Sequence, residues 1–295
     1  MPMKARLNKG IWILVVLAAV NLLFLLSYFH SHLDQRQEHR SDEILHRGKE
    51  VELFADRLES KVQKVMEIAD GIADDLNAGR LDSTALMQRL GADVEKYDYI
   101  DGLFVAYEPY AFSPHDEFFD PLFLREEGGH KLVFLDYDYR ENDWYQAPIR
   151  DGRRWVEPYR GRKSGAVILQ YGVPIMDEDG KPIGIVAINF SSAELKKIVS
   201  TSLAEGAEGF GFILSADGTY IYHPIARNTV ESLNIYDHFK VEQSVIDKTV
   251  ENLRWGDPAW IKIDDFESHK THVSLHPLST NGWTVGLAYL EEQGA

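Results

Sequence analysis

The side chains best suited to chemistry lie between Tyr137 and Tyr171. They read Tyr137-Asp-Tyr-Arg140-Glu-Asn142-Asp-Trp144-Tyr145, then Trp155-Val-Glu-Pro-Tyr159, then Gln170-Tyr171-Gly-Val-Pro. Aromatic rings supply contact area at little entropic cost, and Arg, Asn and Glu among them can fix an orientation. The chemistry is therefore non-covalent: this composition suits holding a small molecule. It also suits a core stripe or a surface for a protein partner.

Covalent catalysis finds no support. The sequence has no Gly-x-Ser-x-Gly elbow, no Walker loop, no Gly-x-Gly-x-x-Gly and no cysteine. His115-Asp116-Glu117 reads as a solvated loop rather than a metal site. Asp177-Glu178-Asp179-Gly180 and Asp217-Gly218 read as turns, because neither continues to the Glu that closes a calcium loop. No cofactor and no metal are expected. A formal net charge of −16 argues against nucleic acid and against anionic lipid surfaces.

These residues must be positioned by regular elements. A helix is expected over 81–97, with Asp82 or Ser83 as N-cap. Strands are expected over 102–107, 131–136, 167–174 and 181–190, the last two joined by the turn at 177–180. A short helix over 192–200 follows, then a Gly-rich boundary at 205–209. Beyond it, a hairpin (210–214 and 219–223), a helix (237–253) and strands at 260–264, 270–275 and 283–290 make a second block of similar order.

Ahead of both blocks runs a helix-forming stretch from about 30 to 78. Val51, Ala55, Leu58, Val62, Val65, Ala69, Ile72 and Leu76 alternate spacings of four and three, a heptad seam. The seam can pair with a second copy or pack on its own domain. Before it, the uncharged apolar run 11–29 has the roughly 20 residues that a bilayer-spanning helix needs. Lys4, Arg6 and Lys9 precede it, so the positive-inside rule leaves the N-terminus in the cytoplasm and residues 30–295 outside. The run lacks the small-residue cleavage site of a signal peptide.

Tyr-x-x-x-x-Asn-x-Trp-Tyr, Trp-x-Glu-Pro-Tyr, Tyr-Gly-Val-Pro-Ile and Asp-Gly-Lys-Pro-Ile-Gly-Ile-Val-Ala-Ile-Asn-Phe-Ser follow one another here. Phe-Ile-Leu-Ser-Ala-Asp-Gly-Thr-Tyr-Ile-Tyr-His-Pro and Asn-Gly-Trp-Thr-Val-Gly-Leu-Ala come later. Together they resemble the double Cache (PDC-like) sensor domain, the extracytoplasmic part of bacterial chemoreceptors, sensor histidine kinases and related receptors, over roughly 49–292. The resemblance implies an α+β fold. A long N-terminal helix (transmembrane plus stalk) precedes two tandem modules, each an antiparallel sheet flanked by helices. It divides the chain into a leader (1–10), a membrane helix (11–29), a stalk (30–78), a membrane-distal module (79–200) and a membrane-proximal module (201–295).

The resemblance further implies that the distal module binds the ligand. Matched by position, Tyr137, Trp144, Tyr145 and Tyr159 are kept. Asn142 stands where an Arg for a ligand carboxylate is expected, and Asn189 where an Asp for a ligand ammonium is expected. An Asn offers a neutral amide in place of a charged fork or counter-charge. No tight binding of a free α-amino acid is therefore expected, and a neutral or anionic ligand fits better. Arg140, two residues upstream, is the alternative carboxylate partner. The expected ligand-binding set is Tyr137, Arg140, Asn142, Trp144, Tyr145, Trp155, Tyr159, Tyr171 and Asn189. The expected function is non-enzymatic small-molecule sensing by a receptor anchored in the bacterial inner membrane and facing the periplasm, with a homodimer through the stalk left open. The alternative is an anchored protein-interaction module without a small-molecule ligand.

Overall fold

Residues 45–77 are helical, with no proline to interrupt them. This helix, α1, stops where the sequence predicts, at Asn77-Ala78-Gly79, with Gly79 at φ +65. Glycine adopts that left-handed turn without a Cβ clash. The computed structural model describes residues 45–135, 137–162, 165–203, 208–224, 259–264 and 270–290. It also describes positions 27, 28, 30, 234, 235, 245, 248, 249, 251 and 252. The chain divides into two compact units, Met1–Lys49 and Glu50–Ala295, and every strand belongs to the second. The apolar run 11–29 lies outside the described residues except for Ser27 and Tyr28. Among the described residues no helix is long and apolar enough to cross a membrane.

The heptad seam is spent on the chain's own core. Val51, Ala55, Leu58, Val62, Val65, Ala69 and Ile72 are at most 1% exposed, and Leu76 packs at the edge of the same cluster. Each large aliphatic side chain so buried stabilises by about 1.5–3 kcal/mol. From Val51 onward the seam is therefore not available for pairing with a second copy. The stalk between residues 31 and 44 lies outside the described residues.

Two antiparallel sheets follow. The first contains β1 (Ile100–Tyr107), β2 (Pro121–Glu126), β3 (Gly129–Phe134), β4 (Arg154–Trp155), β5 (Tyr159–Arg160), β6 (Val167–Met176) and β7 (Pro182–Phe190). Its order is β3-β2-β1-β7-β6-β4, with β5 also on β6. The second contains β8 (Gly209–Leu214), β9 (Tyr220–Tyr222), β10 (Ala259–Asp264), β11 (Lys270–Pro277) and β12 (Thr284–Leu290), in the order β10-β11-β12-β8-β9.

Three further helices complete the description. In α2 (Ser83–Lys96) the Asp82 side chain accepts from the Ala85 amide, the expected N-cap. Arg125 on β2 closes its other end, with Nη2 donating to the Val94 and Tyr97 carbonyls. α3 (Asp143–Asp151) is a helix that the sequence pattern does not predict. α4 (Ser192–Ser200), capped by Ser191, carries the chain from β7 toward β8. The helix expected at 237–253 lies largely outside the described residues.

Strand alternation gives the first sheet two unlike faces. Leu103, Val105 and Tyr107 of β1, Leu169, Tyr171, Val173 and Ile175 of β6, and Val186, Ile188 and Phe190 of β7 share a core with α1 and α2. The opposite face, carrying Phe104, Ala106, Ile185 and Ala187, is covered by α3 and its flanking loops.

Candidate ligand-binding site

Strand register fixes the floor of the site. One row across the second face reads Leu124, Gly102, Asn189, Gln170; the next reads Leu122, Phe104, Ala187, Gly172. α3 lies over this floor, and it can approach because Gly172 has no side chain. A Cβ there would stand 2.4 Å from Pro148 Cγ. Proline is poorly tolerated inside a helix, but α3 is only nine residues long and Pro148 lies on its buried side.

α3 and the loop before it deliver the aromatic side chains. Trp144 meets Phe104 edge-on at 5.5 Å between ring centroids, and Tyr139 lies 5.1 Å from Tyr145 and 5.7 Å from Trp144. Tyr137 and Tyr159 join this cluster at its half-buried margin. The hydroxyls are held. Tyr145 donates to Glu108 at 2.9 Å, Tyr139 to the Tyr107 carbonyl, and Tyr159 to Gln170 Oε1 at 2.7 Å. Gln170 is fully buried, and its Nε2 donates to the Trp144 carbonyl at 2.9 Å, tying β6 to α3. Burial pushes the Tyr139, Tyr145 and Tyr159 phenols up, so all three stay neutral donors. Burial also pushes the Asp120 carboxyl up, partly offset by the Leu135 amide that donates to it.

Of the nine expected binding residues, five converge here: Tyr137, Trp144, Tyr145, Tyr159 and Asn189. Asn142 sits at the N-cap of α3, but its Nδ2 donates back to the Tyr139 carbonyl at 3.0 Å and braces the turn. Arg140 is half-buried and forks onto Asp138, holding that carboxyl down at about 2; it also lies over the Phe118 ring.

Trp155 and Tyr171 require a correction. They pair across β4 and β6 and point to the opposite face, where Trp155 packs on Tyr171, Phe190 and Trp283. The Tyr171 hydroxyl reaches Asp70 on α1. One step of strand register separates them from Gln170, and that step reverses the face. Glu108, Tyr139, Gln170 and Phe104 contact these residues or share their face and are not in the expected binding set. Period-two alternation back from Asn189 and Gly102 was the available signal.

Among the described residues no group of three or more His, Asp or Glu could hold a metal ion.

A family model for the Cache domain (dCache_1) matches residues 31–292. The chain belongs to the Cache domain family. Methyl-accepting chemotaxis protein PctB of Pseudomonas aeruginosa is 32% identical to this Cache chain over 100 residues. That match spans 34% of this chain and only 16% of PctB, so this chain corresponds to a small part of that relative. Among solved structures, the extracellular domain of the histidine kinase candidate mmHK1S-Z3 is similar, with a TM-score of 0.69 and 21% identity over 83% of this chain and 94% of that one. The ligand-binding domain of PctB in complex with L-Arg is similar with a TM-score of 0.58 and 16% identity, over 85% of this chain and 95% of that one. These structural likenesses establish a Cache fold. The solved relatives are an extracellular domain of a histidine kinase candidate and a ligand-binding domain of a chemoreceptor.

Proposed function

We propose that this Cache chain is the extracytoplasmic ligand-sensing region of a membrane-anchored bacterial receptor. Its small molecule binds in the distal module (79–200), between α3 and the floor formed by β1, β6 and β7. Residues 11–29 anchor it in the inner membrane, 30–295 lie in the periplasm, and 201–295 form the proximal module. One observation carries the reading. Four aromatic residues expected from sequence to bind ligand, Tyr137, Trp144, Tyr145 and Tyr159, gather on the sheet face that also carries Asn189.

Signalling requires that the ligand prefer one of two states. α3 is held to the floor by Trp144, Pro148 and the bond from Gln170, and Tyr145 ties it to Glu108, so a ligand that shifts α3 must act on these contacts. PctB has been solved with L-Arg. With Asn142 and Asn189 in place of charged partners, we expect this chain to bind no free α-amino acid tightly.

A thermal-shift screen of the purified chain against amino acids, amines, organic acids and purines tests the reading. A ligand at 100 times its dissociation constant stabilises by about 2.7 kcal/mol. Trp144→Ala should abolish the shift. A shift that survives Trp144→Ala would move the site elsewhere, and a folded protein that responds to nothing would return weight to protein interaction.

A further inference from the structure

A groove of about 500 Å³ lies between α1 and α4, and none of its lining residues belongs to the aromatic cluster of the first sheet. That volume is within the range of small-molecule sites. The two helices run antiparallel along it. Arg57 Nη1 on α1 donates to the carbonyl of Thr201, the cap residue at the end of α4, at 2.9 Å. One turn further along α1, Lys61 Nζ lies 3.7 Å from Glu194 in the first turn of α4. Ile198, buried, gives the groove an apolar lining between these two contacts.

The charges in the groove do not balance. On a chain of net charge −16 it gathers Arg57, Lys61 and Lys197 against Asp56 and Glu194. The Glu194 side chain, only 10% exposed, is shared by Lys61 at 3.7 Å and Lys197 at 3.3 Å. One carboxylate between two ammoniums leaves one positive charge in excess. Arg57 adds another, because its bond goes to a neutral carbonyl and it makes no ion pair among the described residues. Asp56 is exposed and makes no ion pair among them either, so the groove as a whole stays positive by one charge. Arg57 and Lys61 stand four residues apart and share a helix face. Lys61 is further steadied over the Tyr99 ring at 4.5 Å. A guanidinium fork beside an ammonium suits the oxygens of one carboxylate or phosphate. The Ser60 hydroxyl lines the same groove and can donate to the same group.

We infer that the groove between α1 and α4 is a second ligand site, separate from the one proposed above, and that it holds a small molecule by a carboxylate or phosphate group between Arg57 and Lys61, with Lys197 facing it from α4. Because α4 carries the chain from the first sheet to the second, an anion held from both helices braces that passage.

The test titrates the full chain in detergent, at constant ionic strength, with inorganic phosphate and with succinate, and with putrescine as a cationic competitor. Wild type, Arg57→Gln, Lys61→Met, Asp56→Asn and Trp144→Ala are compared. At least one of the two anions should bind wild type, and putrescine should not displace it. Arg57→Gln and Lys61→Met should each weaken the anion about tenfold, the worth of one charge-assisted hydrogen bond. Asp56→Asn should tighten it severalfold, because it removes a carboxylate that repels the ligand; a misfolded protein cannot give that gain. Trp144→Ala should leave the affinity unchanged, which separates this groove from the aromatic cluster. Binding of neither anion, or binding that Arg57→Gln and Lys61→Met leave intact, would overturn the site. Loss in Trp144→Ala alone would overturn it too and assign the anion to the aromatic cluster. Displacement by putrescine, with weaker binding in Asp56→Asn, would overturn the ligand's charge.

Discussion

His223 lies in the second sheet among Phe210, Phe212 and Tyr220, with ring centroids 4.9, 6.4 and 5.0 Å away. Burial in this apolar nest lowers its pKa from 6.5 to about 4. The unfolded chain then binds the proton more readily than the native one between those two values. Stability contributed by the neutral imidazole is full above about pH 6.5 and is lost as pH falls toward 4. His223→Phe should remove this dependence. Between about pH 7 and pH 5 the stability difference between the two proteins should change by about 2 kcal/mol, wild type losing more, as read by urea denaturation. Parallel curves for the two proteins would disprove a buried neutral imidazole. At the same scale, Arg140 and Asn142 show what a motif leaves out: their types suggest ligand contacts, while their bonds to Asp138 and to the Tyr139 carbonyl serve the loop.

Among the elements, α3 is the piece on which the site depends, and its seat is Gly172. Gly172→Ala would drive a methyl into Pro148, at 2.4 Å from Cγ, and neither a proline ring nor a central strand yields easily. Overpacking of this kind costs about 1–3 kcal/mol. The expected outcome is that loss in denaturant unfolding together with weakened ligand binding, because Trp144 and Tyr145 ride on the displaced helix. Stability and binding both at wild-type level would mean that α3 does not need this contact. The sequence made some elements plain and hid others. β6 and β7 are long, rich in β-branched residues and joined by Asp-Gly, and α4 follows a Ser cap, so local chemistry and fold agree. α3 was hidden because it is short, contains Pro148 and opens on Asn142, whose side chain makes no capping bond. β4 and β5 are two residues each, below any periodic signal. The candidate residues were legible as a cluster in the sequence but not as one face of a sheet. Trp155 and Tyr171 share its composition, and only the register of β4 on β6 turns them to the other side.

Across the whole folded unit, one buried core joins the two sheets through α1, with Val285, Leu287 and Tyr289 in the same cluster as Tyr171, Ile188 and Phe190, and polar contacts pin it at several points. Glu59 on α1 accepts from the Ser279 amide and hydroxyl and from the Thr280 amide, at 3.1, 2.8 and 2.9 Å, just ahead of β12. Higher on α1, Asp70 pairs with Arg153 at 3.2 Å and accepts from Tyr171. Between these, Trp155 of the first sheet meets Trp283 of the second, ring centroids 4.8 Å apart. Arg153 and Trp155 directly follow α3 in the chain, so any displacement of α3 would reach α1 and the second sheet first through these two residues. The contact should therefore act on cooperativity as well as stability. Trp283→Ala removes a buried indole and should cost about 3–5 kcal/mol. Wild type, whose residues 50–295 form one compact unit, should melt in one transition that a ligand shifts as a whole. The variant should melt in two, with the ligand raising only the transition that belongs to the first sheet. Calorimetry with and without ligand checks this, and a single ligand-shifted transition in Trp283→Ala would show that the rest of the shared core couples the two sheets without this indole.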